Sequence, residues 1–77
     1  MSKSKYENLE PIGVYYFGLF GVYVYDIIYG INDYIVAGWD DFTNTRKRKI
    51  YTDKEGNAYF NFNNCRIYLN EVERINY

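Results

Sequence analysis

Short runs of β-branched and aromatic residues recur along this chain between polar turn segments, and the run Ala58–Phe62 alternates cleanly with a period of two. Val22 to Tyr29 is almost wholly β-branched or aromatic, the composition of a strand. Strict alternation puts Val22, Val24, Asp26 and Ile28 on one face and Tyr23, Tyr25, Ile27 and Tyr29 on the other. Gly30-Ile31-Asn32-Asp33 supplies turn residues, and Tyr34 to Trp39 returns as the next strand. Asp40 to Thr45 is expected as a polar loop, followed by a basic strand from Arg46 to Thr52. Asp53 to Asn57 is turn material before Ala58 to Phe62, where Ala58, Phe60 and Phe62 share one face. Asn63-Asn64 suits a tight turn because Asn tolerates positive φ. Cys65, Ile67 and Leu69 are then expected to face the core, with Arg66 and Tyr68 facing out.

The two ends carry different patterns. Met1 to Leu9 is polar and aperiodic and precedes Pro11, which disfavours helix at Glu10; residues 1–11 are expected to form a mobile arm before one domain over 12–77. Gly13, Gly18 and Gly21 interrupt an aromatic run that predicts a first short strand at Val14–Phe17. Asn70 can cap a helical turn through Glu71, Val72, Glu73 and Arg74. The expected fold class is mainly β: a small antiparallel meander of four to six strands, a curled sheet or small barrel, ending in a short helical turn. Its predicted core is Val22, Val24, Ile28, Ile35, Ile50, Phe60, Phe62, Ile67 and Leu69.

Length limits this architecture. A 77-residue chain is one domain, and a domain near this size buries about 60% of the surface its unfolded chain exposes. Cys65 is the single cysteine, so no intrachain disulfide can form, and it is expected as a small apolar residue in a reducing compartment. Met1 to Lys5 is polar with no apolar region directly behind it, so no signal peptide is expected. The apolar stretch Ile12 to Tyr25 is broken by glycines and falls short of the roughly 20 residues that span a bilayer. A cytoplasmic location is expected.

Composition changes the picture at the surface. Aromatic residues are 22% of the chain, with eleven tyrosines, more rings than so small a core can hide. The net charge of −1 conceals a strong asymmetry. Tyr6 to Thr45 holds six acids and no base, whereas Arg46-Lys47-Arg48-Lys49 is an unbroken basic run.

Candidate chemistry follows from this inventory. The chain has no His, and its serines lie in the expected arm at Ser2 and Ser4, so no nucleophile–base pair is visible and an enzyme is not expected. Asp40-Asp41 is the adjacent acid pair, but consecutive strand side chains diverge and no third ligand is evident; no metal or other cofactor is expected. The candidate partner-binding surface is Tyr15, Tyr16, Tyr23, Tyr25, Asp26, Tyr29, Asp33, Tyr34, Asp40 and Asp41. Tyrosine gives large contact area at low entropy cost, and the acids would steer a basic partner. The same rings could instead fill a core or a homodimer face. Arg46, Lys47, Arg48 and Lys49 could contact phosphates or an acidic surface, with the two arginines on one face and the two lysines on the other. They could equally guard an edge strand against unwanted pairing.

Four segments carry a resemblance: Asp33 to Trp39, Lys49 to Tyr51, Gly56 to Phe60, and Arg66 to Glu71. Over roughly half the chain they resemble small accessory proteins of phages and other mobile elements of low-GC Gram-positive bacteria. That resemblance implies an inhibitor of host defence, including the anti-CRISPR proteins, which act by stoichiometric binding to a basic nuclease surface. No inhibitory residue carries over from it. The expected function is therefore non-enzymatic inhibition of a CRISPR-type nuclease through the acidic tyrosine surface. The alternatives are a nucleic-acid-binding small barrel using residues 46–49 and a structural or regulatory homodimer.

Overall fold

Residues from Gly13 to Arg74 fold into eight antiparallel strands in the computed structural model, which describes residues 9–76. The strands are β1 (Gly13–Phe17), β2 (Phe20–Ile28), β3 (Tyr34–Trp39), β4 (Arg46–Lys49), β5 (Tyr51–Thr52), β6 (Ala58–Phe62), β7 (Cys65–Tyr68) and β8 (Glu73–Arg74). They form a five-stranded sheet in the order β4-β3-β2-β1-β8 and a three-stranded sheet in the order β5-β6-β7. The mainly β, antiparallel expectation holds, and the sheets do not close into a barrel. The expected arm falls outside the described residues as far as residue 8.

The basic strand expected over residues 46–52 is two strands in two sheets. At Ile50 the chain leaves the first sheet after one last bond in the β3–β4 register, its N–H donating to the Asp33 carbonyl at 2.9 Å. This bend lays the small sheet over the large one. Val22, Val24, Ile35 and Ala37 from the large sheet pack with Phe60, Phe62 and Ile67 from the small one. Ile50 and Leu69 pack against this core partly buried. Trp39 closes one end, its ring 4.8 Å from Phe62 in an edge-to-face contact.

A β-bulge corrects the expected phase of β2. Val24 pairs with Ala37 and Asp26 with Val36, consecutive residues of β3, so the register shifts by one residue at Tyr25. Strict alternation would have aimed the Asp26 carboxylate at the core. The extra residue re-phases the strand: Ile27 pairs with Ile35 and packs on the core, while Asp26 and Ile28 are exposed. Ile28 is therefore not a core residue, at 41% exposure.

The outer side of the large sheet has its own small cluster. Val14, Tyr25 and Val36 are buried there, and Phe42 from the β3–β4 loop stacks on Tyr25 at 6.0 Å. The loop reaches this position because Gly38 leaves room for Thr45; a Cβ on Gly38 would collide with the Thr45 backbone and hydroxyl. Phe42 takes φ 71°, unusual for an aromatic residue.

Two further expectations change. Cys65 is exposed, not in the core, because it follows directly on the Asn63-Asn64 turn at the end of an edge strand. The C-terminal helical turn is a single 3-10 turn, Leu69–Glu71, preceded by Tyr68 with no side-chain cap. Asn70 lies inside it, and Glu73 and Arg74 pair with Val14 and Gly13 as β8. Strand pairing satisfies backbone groups that a short frayed helix would leave to water.

Candidate functional site

The register of the large sheet divides the tyrosines. Tyr15 pairs with Val22, shares its face and packs against the core. Tyr25 is buried beneath Phe42. Tyr23 and Tyr34 are half-buried on the outer face. Tyr16 and Tyr29 are well exposed, at 64% and 73%.

Charge that is segregated in sequence is mixed in space. β4 pairs with β3, setting Lys49 opposite Tyr34 and Lys47 opposite Val36. Lys47 Nζ then lies 4.8 Å from the Tyr34 ring centroid, a cation–π contact. The outer face thus carries bases at its β4 margin, although β1, β2 and β3 have none. Asp33 turns inward on its loop, where its carboxylate accepts from the Gly30 N–H at 3.2 Å.

The β1–β2 hairpin gathers the aromatic and acidic residues most closely. Phe17 pairs with Phe20, so the turn is the two residues Gly18-Leu19, with Gly18 at φ 66°. Leu19 is 99% exposed and Phe20 64%. Beside them lies an open cleft of about 640 Å³, lined by Phe17, Leu19, Phe20, Trp39, Asp40 and Asp41 among others. Phe17 and Phe20 each meet Trp39 edge-on at 5.9 Å. Asp40 donates its backbone N–H to Gly21, and Gly21 pairs with Tyr16, so the exposed Tyr16 adjoins this end. Asp41 accepts from the Thr43 hydroxyl at 2.6 Å and the Thr43 N–H at 3.1 Å. Those bonds, the hydroxyl first, hold its carboxyl below the usual range, so it is ionised at neutral pH.

The sequence-level site therefore splits. Tyr16, Asp40 and Asp41 come together, and Leu19, Phe20 and Trp39 join them. Those three were not singled out from sequence, although an aromatic run around a glycine turn is the signal that marks an exposed apolar tip. Tyr29 lies in the β2–β3 loop beside Ile28, away from that tip.

A second constellation lies on β4. Arg46 and Arg48 pair with Ala37 and Ile35 and so share the inner face, with Lys47 and Lys49 on the outer face. Arg48 is buried, at 9% exposure, with its guanidinium 4.5 Å from the Phe62 ring centroid. Its Nε donates to the Ala37 carbonyl at 3.1 Å and an Nη to the Asn44 carbonyl. Burial, then the neighbouring Arg46 charge, push it down to about 10, so it still carries its proton at neutral pH.

Among the described residues, no group of three or more His, Cys, Asp or Glu is placed to hold a metal ion. Among them, too, no helix is long and apolar enough to cross a membrane. No protein-family model, curated protein or solved structure matches the chain.

Proposed function

We propose that this chain is a non-enzymatic binding protein that docks on another protein through its β1–β2 hairpin tip. The observation that supports this reading is the exposed Leu19 and Phe20 beside the cleft in front of Trp39, with two carboxylates on its rim. Apolar side chains exposed at a strand turn contribute nothing to this fold's core and keep water ordered around them. A partner would bury them, and buried aromatic and aliphatic anchors carry most interface energy.

Asp40 and Asp41 choose the partner's chemistry. They favour a protein whose contact patch combines an apolar side chain with Lys or Arg, and they oppose an acidic one. The nucleic-acid groove of a nuclease has that character. A host-defence nuclease of the CRISPR type, inhibited stoichiometrically, is the partner class that the sequence resemblance implies.

The test is co-purification with such a nuclease and a cleavage assay at rising ratios of this protein to enzyme. Loss of cleavage at equimolar ratio is expected, with recovery in Leu19→Asp and in the Asp40→Lys, Asp41→Lys double variant. Undiminished cleavage with no complex formed removes the proposal for that nuclease. A dimeric mass by light scattering that Leu19→Asp returns to a monomer would assign the tip to a second copy of the chain instead, overturning the heterologous partner.

A further inference from the structure

The outward face of the three-stranded sheet is built differently from the hairpin tip. Phe60 and Ile67 are paired across β6 and β7 and point into the core. Alternation therefore turns their neighbours outward, and the register brings Tyr51, Tyr59 and Tyr68 into one row across β5, β6 and β7. Ring centroids along the row are 5.8 and 5.5 Å apart, and Tyr51 and Tyr59 are within 28° of parallel. Tyr51 is 42% exposed.

Positive charge frames this row. The Arg66 guanidinium lies 4.3 Å from the Tyr59 centroid, and Lys49 Nζ 5.6 Å from that of Tyr51. A concavity of about 340 Å³ joins Tyr51 and Asn61 to Arg46, Arg48 and the two lysines of β4. A second, of about 610 Å³, continues from Arg46, Arg48 and Asn61 to Asn44, Asn63 and Asn64. Among the described residues, no carboxylate lines either one. Arg48 bonds to two neutral carbonyls there, so its buried charge has hydrogen bonds but no counter-charge among them. An anion in the cleft would supply one.

A chain of phosphates with flat rings between them matches these features together. We propose that this face binds a single-stranded polynucleotide, its phosphates along Arg46, Lys49 and the asparagine-lined cleft, its bases stacked on Tyr51, which the Arg66-covered Tyr59 supports from the side. A duplex hides its base faces, so the tyrosine row selects the single strand. Asp53 sets the limit of the site: its carboxylate accepts from the Tyr68 hydroxyl at 3.1 Å and places negative charge at that end. The strand is held at the Tyr51 end. The near-zero net charge does not oppose this, because Asp40 and Asp41 lie at the hairpin tip and not in this cleft.

The experiment is fluorescence anisotropy of a labelled oligothymidylate and of a labelled duplex against the full chain, at several salt concentrations. The single strand should bind more tightly than the duplex, with log affinity falling against log salt at a slope of about −2 for three phosphate contacts. Tyr51→Ala should weaken binding by about 10-fold at unchanged slope. Arg46→Gln should make the slope shallower by about 0.7. Both positions are exposed, and an unchanged circular dichroism spectrum checks that each variant folds. Absence of binding at low salt overturns the proposal, as does equal affinity for duplex or insensitivity to both substitutions. Leu19→Asp should leave oligonucleotide binding intact, which separates this face from the protein-docking tip.

Discussion

At the scale of single residues, small side chains decide where loops can lie. Gly38 allows the backbone at Thr45 to approach β3, which brings Phe42 over Tyr25. A methyl group there meets backbone and cannot be relieved by a rotamer change. Gly38→Ala is expected to cost about 3 kcal/mol, read as a lower urea midpoint at unchanged slope. Asp53 orders the β5–β6 turn in another way. Its carboxylate accepts the Glu55 and Asn57 N–H groups, each at 2.9 Å, and the Tyr68 hydroxyl. These bonds, that of Asn57 first, hold it below the usual carboxylate range. A carboxylate depressed in the folded state stabilises fully above its unfolded value, about 3.9, and this contribution is lost as pH falls through the folded one. Stability should therefore fall on acidification below about pH 4. Asp53→Asn should flatten that limb in a series of urea titrations, and an unchanged limb would show that these bonds contribute no net stability.

At the scale of elements, the fold turns on two departures from regular pairing. The bulge at Tyr25 keeps Asp26 out of the core and admits Ile27, so one extra residue protects the whole inner face of β2. The break at Ile50 converts one basic strand into a link between sheets. The β6–β7 hairpin supplies most of the opposing layer. Its Asn63 and Asn64 take φ 51° and 64°, both positive as a two-residue hairpin turn requires. Asn64→Val should cost about 1–2 kcal/mol, because a β-branched residue is strained in the left-handed region. Phe62 is the link between layers: it meets Trp39 and supports the Arg48 guanidinium. Phe62→Ala should cost about 3–5 kcal/mol by chemical denaturation, enough to unfold a domain this small at moderate temperature.

At the scale of the whole molecule, chemistry of opposite character gathers at two places flanking the Asn63-Asn64 turn. Asn63 lines both the acidic, aromatic cleft at the hairpin tip and the basic, asparagine-lined cleft beside β4. The two clefts share Asn63, but Leu19 lines only the first and Arg46 only the second, so substitutions at these positions test each surface separately. Leu19 is so exposed that Leu19→Asp should leave the unfolding free energy from urea titration within about 0.5 kcal/mol of the parent, while abolishing protein docking. Loss of docking together with loss of stability would instead make Leu19 part of the fold.

Local patterning in the sequence was enough to determine the strands over Tyr34–Trp39 and Ala58–Phe62, the Asn63-Asn64 turn and the antiparallel, mainly β class. These depend on residue type and near neighbours, which strand propensity and turn chemistry express directly. It was also enough to place the two arginines and two lysines of β4 on opposite faces. Tertiary structure decided what depends on residues distant along the chain. The bulge at Tyr25 exists because Val24 and Asp26 meet consecutive residues of β3, and no pattern within β2 records that. Pairing with β3 carries Lys47 to Tyr34, so the base-free stretch in sequence is not base-free in space. The row of Tyr51, Tyr59 and Tyr68 appears once three strands are aligned side by side. Charge and ring faces act through distance in space, and it is strand register that sets those distances.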